Sequence, residues 1–332
     1  MRFRWHTLFV AALTAGLLWL FFHNIDFEET WRAITDAHLG LIAAAVVVVL
    51  LTYVIRAWRW QALLRPIGRA AFSTAFRTTV IGFTATFLLP ARVGEILRPY
   101  LLARREGFKV TSTFATVIVE RLLDICTVLL LFALALPVAG AQVGAEIIWL
   151  SIVAAGTAVA GLVVLFVLAG HPERLGRWTT ALSAKLPARA SQALAHFVQT
   201  FAEGLKVMRS PGPLAAAAVW SVPLWVSIAL GILLTSRAFD LTLSWTGSFI
   251  VVGYLAVGVA APTPGGAGGF HLAYQLAMTQ FFGASDSVAA AAAIVLHAVS
   301  FVPVSLVGLV FMWQDGLTLG GLRGLREEAR PG

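Results

Sequence analysis

Apolar residues fall in long blocks along this chain, and polar residues are confined to the breaks between them. The blocks cover residues 7–22, 39–57, 78–90, 112–136, 146–169, 213–236, 243–261 and 287–313, with a shorter stretch reaching 282. At ~1.5 Å per residue, a helix of roughly 20 residues crosses a bilayer core. The pattern predicts an all-α polytopic membrane protein with about six full transmembrane helices. Two further segments are interrupted by helix breakers and predict broken or re-entrant hairpins. The first break holds Pro90 and Gly94; the second holds Pro262, Pro264, Gly265, Gly266, Gly268 and Gly269. Proline removes a donor and clashes with the preceding turn, so a helix entering from Phe72 should break near Pro90.

The first block follows Arg2 and Arg4 and resembles a secretory signal, but no small-x-small site follows it and Trp19 to Phe22 are bulky. It is read as a first span. Composition agrees with a membrane protein: 59% of residues are hydrophobic and 12% charged, and mean hydropathy is +0.86, outside the soluble range. The net charge of +8 does not imply nucleic acid, because the cations sit beside apolar blocks instead of on a polar domain. They mark the cytoplasmic face and contact with anionic lipid.

That rule sets the topology. Residues 23–38 carry Asp26, Glu28, Glu29 and Asp36 against Arg32, as expected outside. Arg56 to Arg77 are basic without an acid, and the run Arg56-Ala-Trp-Arg-Trp60 reads as an interfacial pairing of rings with cations. Were residues 72–102 a single crossing, Arg104, Arg105, Lys109 and the basic 171–212 segment would all be outside. A hairpin entering and leaving from the cytoplasm avoids this. Both termini are then cytoplasmic. The 171–212 segment, with apolar residues at roughly helical spacing, is expected as amphipathic helices on the inner leaflet, and the 313–332 tail as disordered. Trp5, Trp58, Trp60 and Trp313 fall at the inner interface; Trp19, Trp31, Trp149 and Trp245 fall near the outer one.

Charges inside the apolar blocks are the candidate chemistry. Arg92, Glu95 and Arg98 follow at i, i+3 and i+6, close enough to pair with one another. Glu120 and Asp124 share a helix face, with Arg121 three residues before Asp124. The alternatives are a cytoplasmic loop whose arginines meet lipid head groups, and a self-neutralising cluster that only fixes packing. Residues 1–136 and 144–312 each read as span, span, hairpin, span, with opposite starting sides. This is the pattern of inverted-repeat transporters, whose broken segments build a midplane site. Half-helices starting after Gly94 and Gly269 would present amide-rich ends to an anion, and Arg92 and Arg98 suit phosphate. The glycine run follows an apolar span, not a strand, so it is no dinucleotide fingerprint; close helix packing is its plain alternative. His271 and His297 are core histidines by default, a proton relay or two metal ligands otherwise. The single Cys126 excludes a disulfide framework. No metal and no cofactor is expected.

Four motifs occur in order: Arg56-x-x-Arg59-Trp60, then Pro90-x-Arg92-x-Gly94-Glu95-x-x-Arg98, then Glu120-Arg121-x-x-Asp124, then Pro262-Thr-Pro264-Gly265-Gly266-x-Gly268. Together they resemble the lysylphosphatidylglycerol synthase transmembrane region, or flippase-like, family over nearly the whole chain. The resemblance implies an inner-membrane protein that moves a lipid or lipid-linked head group between leaflets, with these charges lining the route. His271 and His297 stand where the family carries Glu and Arg. Bifunctional members append a soluble aminoacyl-transferase domain absent from these residues, so synthase activity is not expected.

The expected function is thus a lipid translocase-like transporter and not an enzyme. The substrate-binding or pathway residues are Arg92, Glu95, Arg98, Glu120, Arg121, Asp124, His271 and His297, and Pro90, Gly94, Pro262, Pro264, Gly265, Gly266 and Gly268 serve as hinges. Its partner is a membrane lipid. An intramembrane lipid-modifying enzyme is the first alternative, although no His-Glu-x-x-His spacing supports it. A scaffold for an enzyme of lipid or envelope synthesis is the second. No Walker motif supplies ATP hydrolysis.

Overall fold

The computed structural model describes residues 2–89, 92–139, 145–170 and 200–317, together with Ser191, Gln192 and Val198. Among these residues every regular element is helical. The order is α1 (Arg2–Phe22), α2 (Phe27–Asp36), α3 (Leu39–Leu64), α4 (Phe72–Leu88), α5 (Gly94–Glu106), α6 (Val110–Ala139) and α7 (Ala145–Gly170). A 3-10 turn at Leu205–Arg209 precedes α8 (Pro211–Ala238) and α9 (Trp245–Ala260). A second turn at Pro264–Gly266 leads into α10 (Gly269–Phe282) and α11 (Asp286–Gln314).

Helices α3, α8 and α11, of 26, 28 and 29 residues, are long and apolar enough to cross a membrane. Their packing is inverted relative to a soluble protein. Leu51, Leu130, Val163 and Leu306 are exposed, while Arg59, Thr84, Thr113, Glu120 and Ser221 are fully buried. An apolar shell this extensive requires an apolar solvent. This is a multi-pass membrane protein.

The polar connection expected at 23–38 contains a helix. Asp26 caps α2 by accepting the amides of Glu28 at 2.8 Å and Glu29 at 3.1 Å, and α2 lies at 82° to the apolar part of α1. The amides of Glu29 and Glu28 hold the Asp26 carboxyl below the usual carboxylate range.

Helices α4 and α5 form a hairpin whose open ends meet: the Ala71 amide donates to Glu106 Oε1 at 3.2 Å. The chain therefore leaves where it entered. Glycine makes the approach possible. A Cβ on Gly94 would overlap the Gly82 carbonyl oxygen, and one on Gly82 would lie 2.6 Å from Arg98 Cβ. Helices α9 and α10 repeat the arrangement. A Cβ on Gly258 would overlap the Gly269 carbonyl and the converse, while Gly247 at the open end abuts the Phe282 ring. The glycine-rich tip also needs left-handed backbone, with φ of 59° at Gly265, 72° at Gly266 and 80° at Gly268.

The remaining helices wrap the hairpins. Helices α3 and α8 run antiparallel, joined by the His38 amide to the Ala238 carbonyl at 2.9 Å and by Thr52 to Ser227 at 2.9 Å. Helices α4 and α11 do likewise, through Thr84 to the Val304 carbonyl at 3.2 Å and Arg77 to Asp315 at 3.0 Å. One apolar core containing Phe21, Phe132, Ile250, Tyr274 and Leu296 binds early and late helices together. Asp315 departs from the expected disordered tail, because Arg77 and Arg105 both pair with it; residues 318–332 lie outside the described residues. Most of the expected amphipathic segment also lies outside them. Its described end packs inward, with Leu205 and Val207 fully buried and Lys109 paired to Glu203 at 3.0 Å.

Candidate functional site

Arg59 is the centre of a buried ion cluster. It projects from the last turns of α3 and is 0% exposed. Its Nη1 lies 2.5 Å from Asp124 Oδ1, and its Nη2 lies 3.1 Å from Glu120 Oε1. The same Nη1 donates to Ser221 Oγ at 3.1 Å, and the Trp225 indole donates to Asp124 Oδ1 at 3.1 Å. Helix α8 therefore shares in the cluster. Glu120 and Asp124 are one turn apart on α6, which is why a single guanidinium reaches both. From α5, Arg98 Nη1 donates to Glu120 Oε1 at 2.9 Å, with its guanidinium 3.8 Å over the Trp60 ring. Trp60 is fixed in turn by donating to Thr116 Oγ1 at 3.1 Å.

A looser rim surrounds this centre. Arg121 Nη1 lies 3.4 Å from Asp124 Oδ2, and its Nη2 lies 4.0 Å from Glu95 Oε1. Glu95 also pairs with Arg92 at 3.7 Å. Arg92 adopts a φ of 51° at the hairpin tip and donates to the Val259 carbonyl of the second hairpin. The tips therefore touch, and a Cβ on Gly265 would lie 3.3 Å from the Phe87 carbonyl oxygen. Between α4, α5 and α6 lies a narrow, partly open cleft, lined among others by Thr86, Glu95, Arg98 and Arg121.

Several buried polar atoms here have no partner: Arg56 Nη1, Arg59 Nε, Arg98 Nε and Nη2, Arg121 Nε and Glu120 Oε2. Arg59 Nη2 faces Glu120 as an ion pair but without hydrogen-bond geometry. Buried donors are seldom left unmade without a reason, and a ligand is one.

The sequence-derived residues divide into two groups. Arg92, Glu95, Arg98, Glu120, Arg121 and Asp124 form one cluster, but Arg98 pairs across to Glu120 and not locally with Glu95. His271 and His297 form the other, with ring centroids 4.5 Å apart among Phe21, Phe270 and Phe301. His297 Nε2 lies 2.9 Å from the Gly265 carbonyl, and His271 Nδ1 has no partner. No group of three metal-ligating side chains occurs among the described residues. Pro90 lies outside the described residues, whereas α4 ends at Leu88 and α5 starts at Gly94, on either side of it. Pro262, Pro264, Gly265, Gly266 and Gly268 form the second tip between α9 and α10.

Arg56, Arg59 and Trp60, expected as an interfacial pairing of rings with cations, turn inward: Arg59 and Trp60 are fully buried, and Arg56 nearly so, 4.8 Å over the Phe83 ring. Sequence reasoning missed them as site residues. The available signal was two acids in one apolar block with one local cation, which demanded another from elsewhere.

A polytopic helical protein with a charged, glycine-crossed interior is the class these features define. The chain belongs to the family described as the lysylphosphatidylglycerol synthase TM region, which it matches over residues 7–308. The four-motif resemblance therefore holds. It is 26% identical to Glycosyltransferase AglD of Haloferax volcanii over 325 residues, covering 88% of this chain and 51% of that protein. The chain thus spans about half the length of the curated relative it matches. That relative carries an enzyme's name, which overturns the expectation that this chain is not an enzyme.

Proposed function

We propose that this chain binds the anionic head group of a membrane lipid or lipid-linked intermediate in the cleft between α4, α5 and α6, and moves it between leaflets while the tails stay in lipid. The relative's name favours coupling of this step to glycosyl transfer. The observation that carries the reading is the set of unpartnered guanidinium nitrogens on Arg98 and Arg121 beside that cleft. Burying uncompensated cations is costly, and an anion offsets the cost.

The matched glycine crossings and the antiparallel α3/α8 and α4/α11 pairs support two inverted repeats, residues 1–136 and 144–312, with about six spans and two re-entrant hairpins. On this reading the Arg65, Arg105 and Lys109 end faces the cytoplasm of an inner membrane, with both termini on that side. Asp26, Asp240 and Asp286 lie at the other end.

The test is leaflet-to-leaflet movement of labelled anionic lipid in vesicles containing the purified chain. Wild type should accelerate it and Arg121→Gln should not. Equal rates in the two proteins, both folded, would remove the assignment.

A further inference from the structure

The charge balance of the cluster goes one step further, resting on the head-group reading above. Four buried or half-buried guanidiniums, Arg56, Arg59, Arg98 and Arg121, face only two carboxylates, Glu120 and Asp124. Arg56 belongs to the group, because it and Arg121 lie over the same Phe83 ring, at 4.8 and 5.9 Å from its centroid. Adding the rim leaves the balance unchanged, since Arg92 and Glu95 neutralise each other. The interior therefore holds an excess of two positive charges. Its hydrogen-bonding capacity has the same sign: unpartnered nitrogens on all four arginines stand against one unpartnered oxygen, Glu120 Oε2.

We propose that the cleft selects a head group carrying two negative charges on phosphate, a lipid phosphomonoester or diphosphate, over a phosphodiester head group carrying one. A monoester brings close to two charges at neutral pH and three acceptor oxygens. Arginine supplies planar pairs of donors matched to them. A diester leaves one positive charge uncompensated in a site from which water is largely excluded. That is the costly arrangement.

Equilibrium binding to the full chain in detergent, followed by intrinsic tryptophan fluorescence, tests this with Trp60 lying 3.8 Å from the Arg98 guanidinium. The probes are short-chain phosphatidic acid and short-chain phosphatidylglycerol with identical tails, plus inorganic phosphate. Phosphatidic acid should bind roughly tenfold or more tightly than phosphatidylglycerol. Arg121→Gln should erase most of that preference, and Glu95→Gln, which adds a positive charge, should enlarge it. Opposite responses from two neighbouring neutralisations are not expected of a merely structural role. Equal affinity for the two lipids in wild type would overturn the selectivity while leaving the anion site standing. Binding of inorganic phosphate as tight as that of phosphatidic acid would overturn the lipid assignment. Failure of every probe to bind folded protein would remove the anion site itself, and the head-group reading with it.

Discussion

The two hairpins share a backbone and differ in chemistry. Each crosses on a glycine pair, Gly82 with Gly94 and Gly258 with Gly269, at contacts too close for any side chain. The first then carries Arg98 into the interior, where it pairs with Glu120 beside Arg59 and Asp124, and keeps Arg92 and Glu95 at a half-exposed rim. The second carries no charged residue between Pro262 and Phe282 and presents His271 in an aromatic setting. The difference teaches that the crossing is an architectural device and the charge is an addition to it. Closeness of helices demands glycine on both sides; a cluster of buried ions is needed on only one.

The largest expected effect breaks the charged side at its centre. Arg59→Ala strands Glu120 and Asp124 without their main partner, and loss of one member of a buried pair costs about 3–5 kcal/mol. Thermal unfolding in detergent should show it, with little folded protein recovered. The architectural device comes next. Gly94→Ala and Gly269→Ala each drive a methyl into backbone, and overpacking costs about 1–3 kcal/mol, occasionally more. Both should lower the melting temperature by similar amounts. A far larger loss in one than the other would show that the crossings are not equivalent. His297→Ala removes the hydrogen bond to Gly265, worth about 0.5–1.5 kcal/mol by net exchange with other partners. The smallest stability change belongs to Arg32→Ala, outside both hairpins. Its pair with Glu28 is exposed and such pairs contribute about 0–1 kcal/mol, so that variant should melt close to wild type.

Local chemistry made much of this legible in advance. Pro90 and Gly94, and the run from Pro262 to Gly269, forced breaks that any apolar helix must respect, and α5 and α10 begin at Gly94 and Gly269. The reading of Arg121 with Asp124 as an i, i+3 pair also holds. What was hidden depends on residues far apart in the chain. Arg59 ends an apolar block beside two tryptophans, which is how an interfacial anchor reads. Its acids lie 61 and 65 positions later, and no local pattern points there. Arg98 was expected to pair with Glu95 three residues away, yet the crossing at Gly82 turns it toward Glu120. The short helix α2 was masked by its acids. Their place in the first turn, beside the positive end of the helix dipole, is what favours that helix.

The central claim is that the charged hairpin handles an anionic lipid head group, and transport by Arg121→Gln tests it most directly. Arg121 lines the cleft, is half-buried and holds an unpartnered nitrogen, so its neutralisation should leave the fold intact. In vesicles, the wild-type chain should speed exchange of anionic lipid between leaflets, Arg121→Gln should fall to the rate of empty vesicles, and Arg237→Gln, outside the cluster, should match wild type. Exchange by Arg121→Gln at the wild-type rate would contradict the account.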